Sequence, residues 1–160
     1  MKQENWSVEN FLNQHHIPFQ KITHPALFTV EDAKQWEDTI PGSHTKNIFI
    51  KIKKWPYAMI TIKAEKKLDT KIFKLQTGVK DFSFASPEDL MDQLWVSPWS
   101  VGIFWLINNP HIPLYIDQDI RSSEMAWRHP NDNTSTVVLT KKWLSDYLDI
   151  VKTTYKIIIL

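Results

Sequence analysis

The chain has 160 residues, with 19 Lys and Arg against 18 Asp and Glu, which suits one domain spanning 1–160. It lacks the basic excess of a protein that grips nucleic-acid backbone over its whole surface, so any RNA contact must be local. The absence of cysteine excludes thiol catalysis, Cys-containing zinc sites and disulfides, and suits a reducing compartment, with the cytoplasm as the expectation. The start, Met-Lys-Gln-Glu-Asn-Trp, runs straight into a polar helix pattern without an apolar stretch of signal-peptide length. The apolar run Ile157 to Leu160 is far below the ~20 residues of a membrane span and reads as a packed terminal strand or an interface patch.

Ser7 is placed to cap a helix carrying Val8, Phe11, Leu12 and His15 on one face, and Pro18 stops it. Thr29 with Asp32 three residues on approximates a capping box, which predicts a short helix from Val30 to Trp36. Pro41-Gly42 ends the loop after it. From Ile48 the two-residue period of a strand sets in, with Ile48, Ile50 and Ile52 on one face and Phe49, Lys51 and Lys53 on the other. Trp55-Pro56 breaks it, and Tyr57 to Ile62 reads as the hairpin partner. Asp69 caps a helix through Gln76 that Gly78 is placed to end, and Phe82 to Phe84 makes a short strand. Ser86-Pro87-Glu88-Asp89 combines an N-cap, a first-turn proline and first-turn acids, predicting a helix from Pro87 to about Leu94. A Trp-rich loop follows, then strands at Leu114 to Asp117 and Thr136 to Leu139, and a last helix that Thr140 caps, through Trp143, Leu144, Tyr147 and Leu148. Helices and strands mixed with hairpins, and no repeating strand-helix unit, argue for α+β with a mixed sheet.

The chemistry-bearing candidates are few. Lys46 stands where a turn meets a strand, from which a long cation can reach over a cleft toward a phosphate or a ribose; most surface lysines are simply solvated. Asn47 can donate to the same ligand or close off the strand. His129 precedes Pro130, which pushes its backbone toward an extended form and gives its ring a fixed direction, suitable for orienting a water at neutral pH; a structural histidine is the ordinary alternative. His24, also before a proline, more simply shapes the turn ahead of Thr29. His15 and His16 are adjacent and point to different helix faces, so they do not share a metal. With only three glycines there is no phosphate loop, and neither a His-Glu-x-x-His pattern nor a Gly-x-Ser-x-Gly elbow is present. No metal and no cofactor are expected.

Three segments carry a resemblance: Thr-His-Pro-Ala-Leu-Phe-Thr-Val-Glu-Asp-Ala at 23–33, Pro-Gly-Ser-His-Thr-Lys-Asn-Ile-Phe-Ile at 41–50, and His-Pro-Asn-Asp-Asn-Thr-Ser-Thr at 129–136. In that order and spacing they resemble the YbaK/prolyl-tRNA synthetase-associated family of free-standing aminoacyl-tRNA editing proteins, and within it the prolyl-tRNA deacylases. The resemblance implies an α+β single domain with a mixed, barrel-like β-sheet flanked by short helices. It implies a hydrolase that cleaves the ester of a misacylated tRNA by water attack, with Ala-tRNA(Pro) as the family substrate. Lys46 would hold the aminoacylated 3′ end and His129 would contact the ester. Phe28, Val30 and Ala33 would form the pocket wall beside Asn47. The implied partner is the tRNA acceptor end, with prolyl-tRNA synthetase as a second one, and neither DNA nor a membrane.

Leu94 to Asn108 aligns without gaps to the family's glycine-rich substrate loop and departs from it. Where the family has Gly-x-x-x-Pro this chain has Trp99-Ser100-Val101-Gly102-Ile103, and Trp95 and Trp105 stand where small residues are customary. A Trp in left-handed geometry costs roughly 1–2 kcal/mol, so the loop is expected to take another path with Gly102 as its flexible position. Ser100, Val101 and Gly102 would line the substrate and offer donors to an oxyanion. The tryptophans either pack beneath the loop or meet the terminal adenine. Two other readings stay open: a non-catalytic module that binds tRNA or a synthetase, and editing of another small amino acid such as Cys or Ser.

Overall fold

The computed structural model describes residues 7–53, 56–128 and 133–160, with the main chain alone for Val30, Trp99 and Arg128. The first helix, α1 (Val8–Gln14), buries Val8, Phe11 and Leu12, and Ser7 Oγ accepts from the Asn10 N–H at 3.0 Å. Strand β1 (Gln20–Thr23) and helix α2 (Val30–Lys34) follow. The Thr29–Asp32 capping box forms as expected, but α2 stops two residues before Trp36 because the next turn tightens, with Trp36 N–H bonded to Ala33 O at 2.9 Å.

Strand β2 (Thr45–Ile52) pairs antiparallel with β3 (Tyr57–Lys63). It begins at Thr45, before the expected Ile48, since Thr45, Lys46 and Asn47 continue the register against Lys63, Ile62 and Thr61. Phe49 packs into one core with Tyr57 and Met59, while Ile50 joins Ile60, Ile62 and Phe73 in another. Both faces of this hairpin are therefore covered, which is why β3 reads as a nearly continuous apolar run interrupted only at Thr61 before Lys63. Asp69 caps α3 (Thr70–Thr77) and Gly78 ends it at φ 75°; β4 (Phe82–Phe84) adds to β2, and α4 (Pro87–Leu94) starts on the Ser86–Asp89 capping box.

Two 3₁₀ turns, Pro98–Ser100 and Ile103–Asn108, make the Trp-rich loop. Then come β5 (Leu114–Asp117), α5 (Gln118–Ser122), β6 (Met125–Arg128), β7 (Ser135–Thr140), α6 (Lys141–Val151) and β8 (Tyr155–Ile158). Thr140 stands at the α6 N-cap without a side-chain cap bond. The terminal apolar residues supply β8, parallel to β5.

The fold is α+β with a mixed sheet. Its five strands run in the order β4-β2-β3-β5-β8, antiparallel on the β2 side and parallel at β3-β5-β8, and β1-β7-β6 forms a separate antiparallel sheet. The two are joined by a parallel bridge from Ser43 to Ala126 rather than closed into a barrel. Ser43 N–H bonds to Met125 O at 3.0 Å, and Trp127 N–H bonds to Ser43 O at 2.9 Å. Gly42 makes that approach possible: at φ 98° a Cβ there would lie 2.8 Å from the Met125 carbonyl. Among the described residues no helix is long and apolar enough to cross a membrane.

Candidate functional site

A cleft of about 240 Å³ opens where the start of β2 faces the turn before α2 and the Trp-rich loop. Its walls include Phe28 and Ala33 from the α2 side, His44 and the first residues of β2 through Asn47, and Pro98 and Val101 from the loop. Small-molecule sites usually run to roughly 300–1,000 Å³, so this one is sized for a small group. Consecutive residues at the entry to one strand line it, so the cleft runs along the edge of β2 rather than over one face.

That edge is chemically open. Ile52 N–H bonds to Pro56 O across the hairpin, so Ile50, Ile48 and Lys46 also point their main-chain groups at β3, and Phe49, Asn47 and Thr45 point theirs the other way. Ala85 N–H closes on Phe49 O at 2.9 Å, and β4 then ends before Pro87, which has no N–H. Among the described residues, the Asn47 main-chain N–H and C=O meet no partner across that edge.

The Asn47 side chain is committed to the loop. Its Nδ2 donates to Val101 O at 3.3 Å, while among the described residues Oδ1 is buried with no partner, as is Thr61 Oγ1 on the residue paired across the strands. Thr45 is anchored by its hydroxyl, which donates to Trp127 O at 2.6 Å. Lys46 is partly buried, and this burial draws its ammonium below the ordinary pKa of 10.5; the carboxylate of Glu65 opposes that shift and Lys67 adds to it.

The loop takes a route that the sequence did not suggest. Gly102 is extended, at φ −157° and ψ 161°, a conformation open to any residue. The left-handed position belongs instead to Trp95, the C-cap of α4, at φ 60°. Trp105 is 9% exposed and packs in the main core, with its indole N–H donating to Ser100 O at 3.1 Å. Ile103 is fully buried there too. Ser100 N–H is bonded to Ser97 O at 3.0 Å, so it is not a free donor for a ligand.

Of the residues singled out in the sequence, Phe28, Ala33, Lys46, Asn47 and Val101 come together on this cleft, whereas Ser100 and the buried Gly102, on either side of Val101 in the chain, do not line it. The Val30 side chain and His129 lie outside the described residues. Leu27, Thr29, His44, Thr45 and Pro98 also line the cleft and were missed; the turn Pro41 to His44 leading into Lys46 was the available signal for His44. His24 is a structural part: its Nδ1 faces Pro25 O at 2.9 Å and must donate to it, so Nε2 accepts from the Thr136 hydroxyl at 2.8 Å. This ties the approach to α2 onto β7, and Leu27 N–H adds a bond to Asn133 O at 3.0 Å.

Comparison with known proteins speaks to the family and the fold. The chain is similar to the prolyl-tRNA editing protein ProX of Acetoanaerobium sticklandii, 25% identical over 150 residues and covering 92% of each. It is also 25% identical over 144 residues to the prolyl-tRNA synthetase associated domain-containing protein 1 of Bos taurus, covering 86% of this chain and 82% of that one. The fold matches the solved structure of a proposed trans-editing enzyme for prolyl tRNA synthetase with TM-score 0.71 at 18% identity, over 96% of this chain and 94% of the other. The family model of the aminoacyl-tRNA editing domain matches residues 24–147, which span α2, β2 and the loop that together build the cleft, and the chain belongs to that family.

Proposed function

We propose that the whole chain, 1–160, acts as a cytoplasmic trans-editing deacylase that hydrolyses the ester of a misacylated tRNA, with Ala-tRNA(Pro) as its substrate. The observation that carries this reading is the juxtaposition of the Lys46 cation, the Asn47 main-chain N–H on the open edge of β2, and a cleft of about 240 Å³ walled by Phe28, Ala33 and Val101. A cleft of that size admits a small aminoacyl side chain. Lys46 binds the phosphate or ribose of the acylated end as a mobile point charge. Water adds to the ester carbonyl, the oxyanion is stabilised by the Asn47 N–H, and the ribose oxygen leaves with a proton. This N–H takes the part expected of Ser100, whose own amide is used within its turn. By resemblance, His129 orients the water or the ester. No cofactor enters the scheme, and prolyl-tRNA synthetase is the protein partner that the relatives' names suggest.

The test is a deacylation panel of tRNA(Pro) charged with Ala, Cys, Ser or Pro, run with the wild type and Lys46→Ala. Cleavage of the alanyl ester that depends on Lys46 supports the reading, and preference for Cys or Ser moves the substrate assignment. The second reading, a non-catalytic tRNA-binding module, is favoured by the committed Ser100 amide. Binding without turnover of any panel member would select it.

A further inference from the structure

A second groove, of about 410 Å³, lies beside the first and shares His44 with it. Lys34, Ser43, His44, Lys63, Glu65 and Trp127 are among its lining residues. Lys34 comes from the last turn of α2, which also walls the cleft through Ala33, and Lys63 from the end of β3, the strand paired with β2. Lys21, Lys51, Lys66 and Lys142 are held by carboxylates: Glu9, Asp89, Asp117 with Asp119, and Asp146. Among the described residues, no carboxylate lies within ion-pair distance of Lys34, Lys46 or Lys63.

The partition between the two hollows is rigid. The turn at Gly42–His44 is pinned to β6 through Ser43, and Trp127 Nε1 donates to the Ile40 and Pro41 carbonyls at 3.2 and 3.1 Å. The His44 ring lies 4.6 Å from that of Trp127, which fixes it between the hollows. Lys46 lines the cleft, Lys34 and Lys63 line the groove, and His44 is common to both, which puts the three cations along one path.

We propose that this groove holds the single-stranded RNA immediately preceding the esterified nucleotide, with Lys34 and Lys63 contacting its phosphates. The inference rests on the deacylase reading, because an acylated ribose seated in the first cleft requires its polynucleotide to leave through an adjoining open channel. Glu37 and Glu65, which line the groove with the lysines, keep it from being a general anion trap and favour a strand whose phosphates fall at the lysines.

The experiment measures binding of an uncharged RNA hairpin with a single-stranded 3′ overhang, and of its blunt counterpart, by fluorescence anisotropy across a salt series. It needs no ester cleavage, so it fails independently of the deacylase reading. Each exposed charge pair is worth up to about fivefold, so Lys34→Gln with Lys63→Gln should weaken overhang binding by roughly tenfold. The dependence of log affinity on log salt should become shallower by about 0.7 for each phosphate that a lysine no longer neutralises. Lys34→Arg with Lys63→Arg, which keeps both charges, should restore the slope, and an unchanged melting temperature excludes misfolding as the cause. Equal affinity and slope in the Gln variant would overturn the proposal, as would equal weakening for the overhang and blunt hairpins.

Discussion

Lys46→Ala separates catalysis from stability, because the two should move in different directions. In the free protein Lys46 is partly buried and draws its largest perturbation from lost hydration, so its charge is a mild liability to the fold. Removing it should leave the melting temperature at neutral pH unchanged or slightly higher. With substrate bound, the same charge meets an anion or ribose, and a hydrogen bond to a charged group is worth about 1.5–3 kcal/mol, so kcat/KM should fall by roughly 10–150-fold. The pH dependence follows from the lowered pKa. Between the folded-state value and the ordinary 10.5 the unfolded chain holds more protons at this position, so the wild type gains stability relative to Lys46→Ala as pH rises through that window. Below the window the liability is fully present, and above 10.5 it is gone. Wild-type deacylation should decline in the same window as the ammonium is lost. Thermal melts and single-turnover hydrolysis from pH 7 to 10.5 measure both. A variant that loses melting temperature in proportion to its activity would refute the reasoning, since Lys46 would then be holding the fold.

Four other perturbations test neighbouring parts. Asn47→Asp turns a donor to Val101 O into an acceptor and should cost about 1–3 kcal/mol of loop stability, read as a lowered kcat with a small change in melting temperature. Trp105→Phe keeps most of the core packing but strands the Ser100 carbonyl, so a loss of about 1 kcal/mol is expected by urea denaturation. Gly42→Ala places a Cβ against the Met125 carbonyl at positive φ, and a loss above roughly 2 kcal/mol is expected, with weaker activity because the turn carrying His44 shifts. Lys152→Gly relieves the left-handed C-cap of α6 at φ 58° and should raise stability by about 1 kcal/mol without altering deacylation.

The parts of the fold legible in the sequence are those set by local chemistry. Ser7, Thr29, Asp69 and Ser86 each cap the helix that follows, because an N-cap bond needs only a short polar side chain and the next turn. The β2–β3 hairpin was legible from its period. Strands β1 and β6 were not, since each is only four residues long and both owe their conformation to the long-range partner β7. Lys46 and Asn47 were found from motif likeness, yet their placement inside β2 was hidden because a Lys-Asn pair breaks the apolar alternation. The second groove had no sequence signal, since Lys34 and Lys63 are brought near each other only by the tertiary fold.

The Trp-rich loop shows how side chains can fix a shape without glycines. A glycine-rich loop holds its shape by adopting dihedrals closed to other residues and leaves its amides exposed. Here the shape is fixed from behind: the Trp105 indole holds Ser100, the Tyr147 hydroxyl donates to Ile103 O at 2.7 Å, and Asn109 Nδ2 bonds to Gln93 at 3.3 Å. The left-handed residue at the loop's entry is Trp95, whose cost of about 1–2 kcal/mol is offset by its packing against the main core. Once the loop folds as a 3₁₀ turn, the Ser100 amide closes that turn and cannot also face a substrate. In the proposed deacylation a donor for the oxyanion would then come from elsewhere, and the edge of β2 beyond the end of β4 exposes one at Asn47, whose side chain already grips the same loop at Val101. Strand and loop are thus joined at one cleft, in which the loop sets the wall's shape and, in the proposed reaction, the strand would supply the reactive groups.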